Sequence, residues 1–315
     1  MGAGRMLVGA LAVAAFAVAG AFAPPWIVSL ATVAFANGLV VLGLVILWRA
    51  GLVPFGQALF YAVGAYTVAL IGRYTGLRDV FVLILAGAIA AGLVAFVVGF
   101  LLARYRDIFF AMLSLAMSMI LYGVLVKTES LGSTDGFNVA SGTYLGYAPQ
   151  GAAHDLALYW LVLAFCALSA VVVAAYFTSV AGMLAAPVRD NEIRVEFLGL
   201  SVNRLVHLKL VIAGVLAGLG GALSALVVEH VDPNMAYWTT SGGFVFVTIL
   251  AGAGSVAAAF VGSLVFELAR SIAVDIFPGE WQITLGTVLL LTILFLPEGL
   301  GSLVTRLARK PGGAA

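Results

Sequence analysis

Apolar runs of membrane-crossing length recur along almost the whole of this chain. A bilayer core is roughly 30 Å thick and takes about 20 helical residues to cross. Candidate spans fall at 6–23, 27–48, 52–72, 80–102, 107–126, 156–178, 206–228, 241–252, 256–274 and 281–297. Hydrophobic residues make up 63% of the 315 and charged ones 9%, with a mean hydropathy of +1.17, so a water-soluble fold would expose far too much apolar surface. Backbone groups in lipid are satisfied only within helices or closed barrels. Barrel strands alternate apolar and polar residues, whereas Leu83 to Leu102 is apolar on every side. The expected fold is all-α: a polytopic transmembrane bundle of about 8–10 spans, forming a single domain over residues 1–315.

Two runs depart from a straight span. The 241–252 run is too short to cross alone, and 52–72 opens with Gly51, Pro54 and Gly56, which disfavour a regular first turn. Both read as broken or re-entrant segments, tolerated where they line a cavity or pack on protein. Arg5, the following apolar stretch and Ala21-Phe22-Ala23 imitate a cleavable leader, but Pro24-Pro25 and a further apolar run follow at once. The first run therefore reads as a retained span.

Basic residues set the expected orientation. With both termini cytoplasmic, the inner side holds Arg5, Arg49, Arg104, Arg106, Arg189, Arg194, Arg204, Lys209, Arg306, Arg309 and Lys310, and the outer side only Arg73, Arg78 and Lys127. The polar stretch 127–155, with the turn-forming Gly132-Ser133-Thr134-Asp135-Gly136, is then an external loop. It is either a surface connection or a contact for something that delivers cargo.

Residues 181–204 form the sizeable polar stretch on the inner side, centred on Arg189-Asp190-Asn191-Glu192-Ile193-Arg194-Val195-Glu196. Pro187 suits a first helical turn, and Asp190 and Glu192 would then lie near a positive helix end. Val188, Val195 and Leu198 sketch one apolar face, Gly199 suits a left-handed C-cap, and Ser201 can cap the next helix. The segment is either an interfacial helix on lipid headgroups or a docking element for a soluble partner.

Catalytic chemistry is scarce. No Walker-type glycine loop precedes a Lys-Ser/Thr pair, and no HExxH or GxSxG pattern occurs, so the reading is not an enzyme and implies no cofactor. His154, His207 and His230 lack metal-ligand spacing. A net charge of +1 argues against nucleic acid as a partner. Cys166 sits in an apolar run as a small hydrophobe. Glu267 and Arg270, three apart, form a structural pair or part of a relay. The uncharged Asn37, Gln57, Ser114, Ser118, Thr248 and Ser263 either bond neighbouring helices or permit a path for a small polar solute. A stand-alone channel, an ion-coupled carrier and a subunit without a path all remain open on the residues alone.

Five blocks carry a family resemblance. They are Arg189-Asp190-Asn191-Glu192 through Glu196, Leu198-Gly199 and Asn203 with the glycine-rich Ala213 to Leu223; Phe55-Gly56-Gln57-Ala58 with Gly64-Ala65-Tyr66-Thr67; Ile108 to Ala116; Thr134-Asp135-Gly136; and Leu296-Pro297-Glu298-Gly299-Leu300. Over most of residues 38–303 the chain resembles the permease subunits of ATP-binding-cassette importers for branched-chain amino acids, a group that includes urea and amide permeases. It departs from them at Ala251-Gly252-Ala253-Gly254, at Ala257-Ala258-Ala259, at Pro187 and at Gln57.

The resemblance implies alternating access in a bacterial inner membrane. The implied partners are a second permease subunit in a heterodimer, two ATPase subunits and an external solute-binding protein. Arg189, Asp190, Asn191, Glu192, Glu196 and Gly199 are the expected ATPase-coupling residues. Gln57, Tyr61, Ser114, Ser118, Tyr122, Ser241 and Thr248 are the expected path residues, chosen for polarity and for their place in or beside the matching blocks.

Overall fold

A computed structural model describes residues 3–252, 254–276, 279–295 and 299. The Leu296–Leu300 block, apart from Gly299, and the basic residues Arg306, Arg309 and Lys310 lie outside them.

The chain is an all-α polytopic bundle. Its helices are α1 (Ala3–Phe22), α2 (Pro25–Trp48), α3 (Gln57–Thr75), α4 (Val80–Leu102), α5 (Asp107–Lys127), α6 (Ala152–Thr178), α7 (Val180–Met183), α8 (Ala185–Asp190), α9 (Glu192–Phe197), α10 (Val202–Val228), α11 (Trp238–Ala251), α12 (Val256–Ile276) and α13 (Trp281–Phe295). Among the described residues, six of these are long and apolar enough to cross a membrane: α2, α4, α5, α6, α10 and α12. Pro24 and Pro25 separate α1 from α2, with Pro25 in the first turn, where its missing N–H costs nothing. Asp79 caps α4 by accepting from the N–H groups of Phe81 and Val82.

Helix α10 is the axis, packed on α2, α3 and α4. Close approach to α3 depends on glycine. A Cβ on Gly64 would run into the Gly218 carbonyl, and one on Gly221 into that of Tyr61. Small residues let backbones approach in lipid, where dispersion contacts replace the hydrophobic drive. Helices α2 and α10 are the most enclosed spans, and α5 and α12 among the least.

Both suspected breaks are present. Helix α3 starts only at Gln57, after an irregular Leu52–Gly56 stretch, and α11 has 14 residues. A 3₁₀ turn, Pro233–Ala236, leads into α11.

The two ends of the bundle differ in chemistry. At one, the Arg49 guanidinium donates to the Gly254 carbonyl at 3.0 Å and lies 3.8 Å over the Phe177 ring. Its burial lowers its pKa from the usual arginine value. Lys209, which the sequence puts among the inner basic residues, is wholly buried rather than at a surface. Its Nζ donates to the Ala181 carbonyl at 2.8 Å and to the Tyr176 hydroxyl at 3.1 Å.

At the other end, β1 (Phe137–Asn138) pairs antiparallel with β2 (His230–Val231). The 127–155 connection folds back there: Glu229 accepts from the Ser141 hydroxyl at 2.6 Å, and Asp79 accepts from the Leu145 N–H at 2.9 Å. Burial, with Asp155 adding to it, pushes the Tyr144 phenol in this connection up to about 12.

Candidate functional site

The polar elbow between α6 and α10 is not one helix. Asn191 leaves helical geometry (φ −164°, ψ 100°), and its Oδ1 accepts from the Arg194 N–H at 3.1 Å, capping α9. Val188 and Val195 are buried in one cluster with Leu47, Leu102 and Phe110, whereas Leu198 is 74% exposed. Helix α9 ends at Phe197, so Leu198 lies beyond it and leaves the face that periodicity assigned to it. Asp190 ends α8 rather than sitting near a helix start, whereas Glu192 opens α9. Gly199 has φ +80° and turns the chain towards α10; Ser201 precedes α10 but makes no side-chain cap.

One arginine ties the elbow down. Arg106, in the α4–α5 turn, pairs with Glu192 and donates to Asn203 Oδ1 at 3.0 Å and to the carbonyls of Ala103 and Tyr105 at 2.7 and 2.8 Å. Gly51, at the end of α2, lies against the aliphatic stem of Arg189. What the elbow leaves outward is mixed: Arg189, Asp190 and Glu196 beside Ile193 (65% exposed), Phe197 (87%) and Leu198.

The expected path residues divide sharply. Ser114 Oγ accepts from the Phe55 N–H at 3.0 Å, and Ser241 Oγ accepts from the Ala58 N–H at 3.0 Å. Gln57 Nε2 donates to the Ala213 carbonyl at 3.0 Å, Ser118 to that of Ala236 at 2.7 Å, and Thr248 to that of Phe244 at 2.8 Å. Ser114, Ser241 and Ser118 bond backbone groups at or just before the starts of the two broken helices, whereas Gln57 ties α3 to α10 and Thr248 bonds back within α11. Tyr122 packs on Tyr237 with ring centroids 4.8 Å apart and the rings tilted by 49°.

Of the seven, Tyr61 lines a cavity of about 600 Å³ and the other six lie outside that lining. Its phenol also bonds Ser224 Oγ at 2.7 Å.

The cavity lies among α2, α3, α11, α12, α13 and the turn before α11. Its apolar wall includes Phe55, Met235, Phe244, Val247, Phe266 and Leu285. Its polar wall joins Asn37, Asp232, Ser263, Glu267 and Arg270 to Thr239 and Thr240 in the first turn of α11. Glu267 and Arg270 pair at 2.9 Å. Asn37 Oδ1, Asp232 Oδ1 and Ser263 Oγ are buried there without a hydrogen-bond partner. Asn37, Ser263, Glu267 and Arg270 stand out in the sequence as in-span polar residues, but nothing there shows that they converge. Among the described residues no three His, Cys, Asp or Glu side chains gather as metal ligands.

Enclosed spans, glycine-seamed packing, two interrupted helices and a polar cavity define a multi-pass membrane protein. The chain belongs to the family described as "Branched-chain amino acid transport system / permease component", which matches residues 26–295 and is a family of transport permeases rather than of enzymes. It is similar to the high-affinity branched-chain amino acid transport system permease protein LivM of Escherichia coli (strain K12), 28% identical over 323 residues, covering 94% of this chain and 76% of the relative. LivM of Salmonella typhimurium is also 28% identical, over 83% of this chain and 67% of the relative. LivH of Salmonella typhimurium is 22% identical, over 79% and 85%. No solved structure matches.

Proposed function

We propose that this chain is the permease subunit of an ATP-binding-cassette importer that moves branched-chain amino acids, or a related amino acid, amide or carboxylate, across a bacterial inner membrane. It works as one transmembrane domain beside a second permease subunit in a heterodimer, with two ATPase subunits and an external solute-binding protein. Both termini are cytoplasmic, residues 127–155 face outward and residues 181–204 dock on an ATPase.

The observation that carries this reading is the elbow: an outward mixed charged and apolar patch on a buried, ion-paired base. Phe197, Ile193 and Leu198 expose more apolar surface than a short polar connection needs. Arg189, Asp190 and Glu196 supply charges that fix register on a partner. Asn191 and Gly199 shape the two turns, and Glu192 holds the base to Arg106. Because Val188 and Val195 share a cluster with Leu47, Leu52 and Phe110, displacement of the elbow moves the ends of α2 and α5 with it. Differential contact with two ATPase states would bias a two-state core in this way.

The test is reconstitution with the partner subunits. Phe197→Ser and Arg189→Glu should abolish ATPase co-purification and ATP-driven uptake while the permease pair still assembles. Gradient-driven uptake by the purified chain with no ATPase bound would establish a stand-alone carrier instead.

A further inference from the structure

The cavity beside α11 combines features that a packing defect does not. It holds fixed charges of both signs, an interrupted helix start and buried oxygen atoms without partners. Ser263 is 2% exposed, yet its Oγ has no partner and it lines the space. Asp232 Oδ1 and Asn37 Oδ1 are unpartnered acceptors on the same wall. Buried polar atoms left unbonded cost about 1–3 kcal/mol each, and three of those found among the described residues line this one space.

The charges specify that molecule. The first turn of α11 carries the positive end of a helix dipole, and Tyr237 gives it no side-chain cap. Arg270 adds a guanidinium, whose planar fork suits a carboxylate. Glu267, Asp232 and the Asn37 carbonyl are acceptors for a cation with several N–H donors. The remaining wall, Phe244, Val247, Phe266 and Leu285, is apolar.

We propose that this cavity binds an α-amino carboxylate as its zwitterion, the carboxylate against Arg270 and the first turn of α11, the ammonium against Glu267 and Asp232, and the aliphatic side chain on the phenylalanine wall. This rests on the importer reading and deepens it by naming the residues that recognise the solute. The Glu267–Arg270 pair is then a placeholder: each member exchanges part of its bond for the opposite charge on the solute, so the empty site keeps neither charge bare in lipid.

Thiol protection in the assembled transporter tests this. Cys166 is buried with its Sγ on the Phe35 carbonyl, so a cysteine introduced by Thr239→Cys, at an exposed lining position, is the reactive one. L-Leucine should slow its modification by about tenfold. Neither 4-methylpentanoate, which lacks the ammonium, nor isopentylamine, which lacks the carboxylate, should do so at the same concentration.

Arg270→Gln should raise the half-protecting leucine concentration about tenfold, and Ser263→Ala, which removes one oxygen and tests the site where a charge variant fails to assemble, about threefold. Protection by either analogue equal to that by leucine overturns the zwitterion assignment. Absence of leucine protection in a complex that imports leucine on ATP overturns the site and leaves the importer standing. Leucine protection in a complex that hydrolyses ATP without uptake upholds the site and removes the importer reading.

Discussion

The α10 side of the bundle and the α11–α13 side are built from similar apolar helices but to opposite specifications. Around α10, backbones touch through Gly64, Gly218 and Gly221, and Lys209 and Tyr61 are bonded. Around the cavity, Asn37, Asp232 and Ser263 each have an oxygen without a partner, and an ion pair borders open space. Close packing fixes one arrangement, although Gln57 Oε1 and the Tyr66 hydroxyl on α3 are also buried without a partner; around the cavity three such oxygens share one open space, which reserves a place for something else. Rigidity and reception are thus divided between two faces of a single bundle.

The largest effect should come from filling the seam. Gly221→Val places a branched side chain against the Tyr61 carbonyl, which belongs to helix backbone and cannot rotate away. Overpacking ordinarily costs about 1–3 kcal/mol, and backbone obstruction adds to that. The variant should fail to give a monodisperse peak in detergent, where Gly242→Ala, with nothing within 4 Å of its added Cβ, should behave as wild type. Normal assembly of Gly221→Val would show that the seam is looser than the cavity side.

A smaller loss is expected at the elbow. Arg106→Ala removes the donor to two carbonyls, to Asn203 and to Glu192 together. It should lower the stability of the permease by about 2–3 kcal/mol, and Glu192→Ala by less. A double-mutant cycle on thermal unfolding should give a coupling of about 0.5–3 kcal/mol. Additive losses would mean that the pair does not anchor the elbow.

How much of this was readable beforehand follows from the range of each interaction. The spans were legible because lipid imposes length and composition locally: 80–102 coincides with α4, and Gly51, Pro54 and Gly56 foretold the late start of α3. The elbow was half legible. Val188 and Val195 are buried as the pattern required, but the periodicity carried a helix through Asn191, although asparagine three residues before Arg194 is itself a capping signal. The roles of the in-span polar residues were not legible. Ser114 meets the Phe55 N–H and Ser241 the Ala58 N–H across 59 and 183 residues of sequence. A serine that caps a broken helix and one that faces a cavity read alike in the sequence.

That ambiguity gives the smallest and sharpest test of the two-sided design. Ser241 and Ser263 are both buried, at 0% and 2% exposure, so Ser→Ala removes the same oxygen from equally dry surroundings. At Ser241 it strands the Ala58 N–H and should cost about 1–2 kcal/mol. At Ser263 the oxygen has no partner, so its loss removes an unpaid desolvation and should leave the melting temperature unchanged or slightly raised. Melting of the detergent-solubilised permease without solute measures both. Equal losses would mean that Ser263 holds a structural bond and that the cavity wall is packing like any other; a loss confined to Ser241 separates the oxygen that builds the bundle from the one held in reserve.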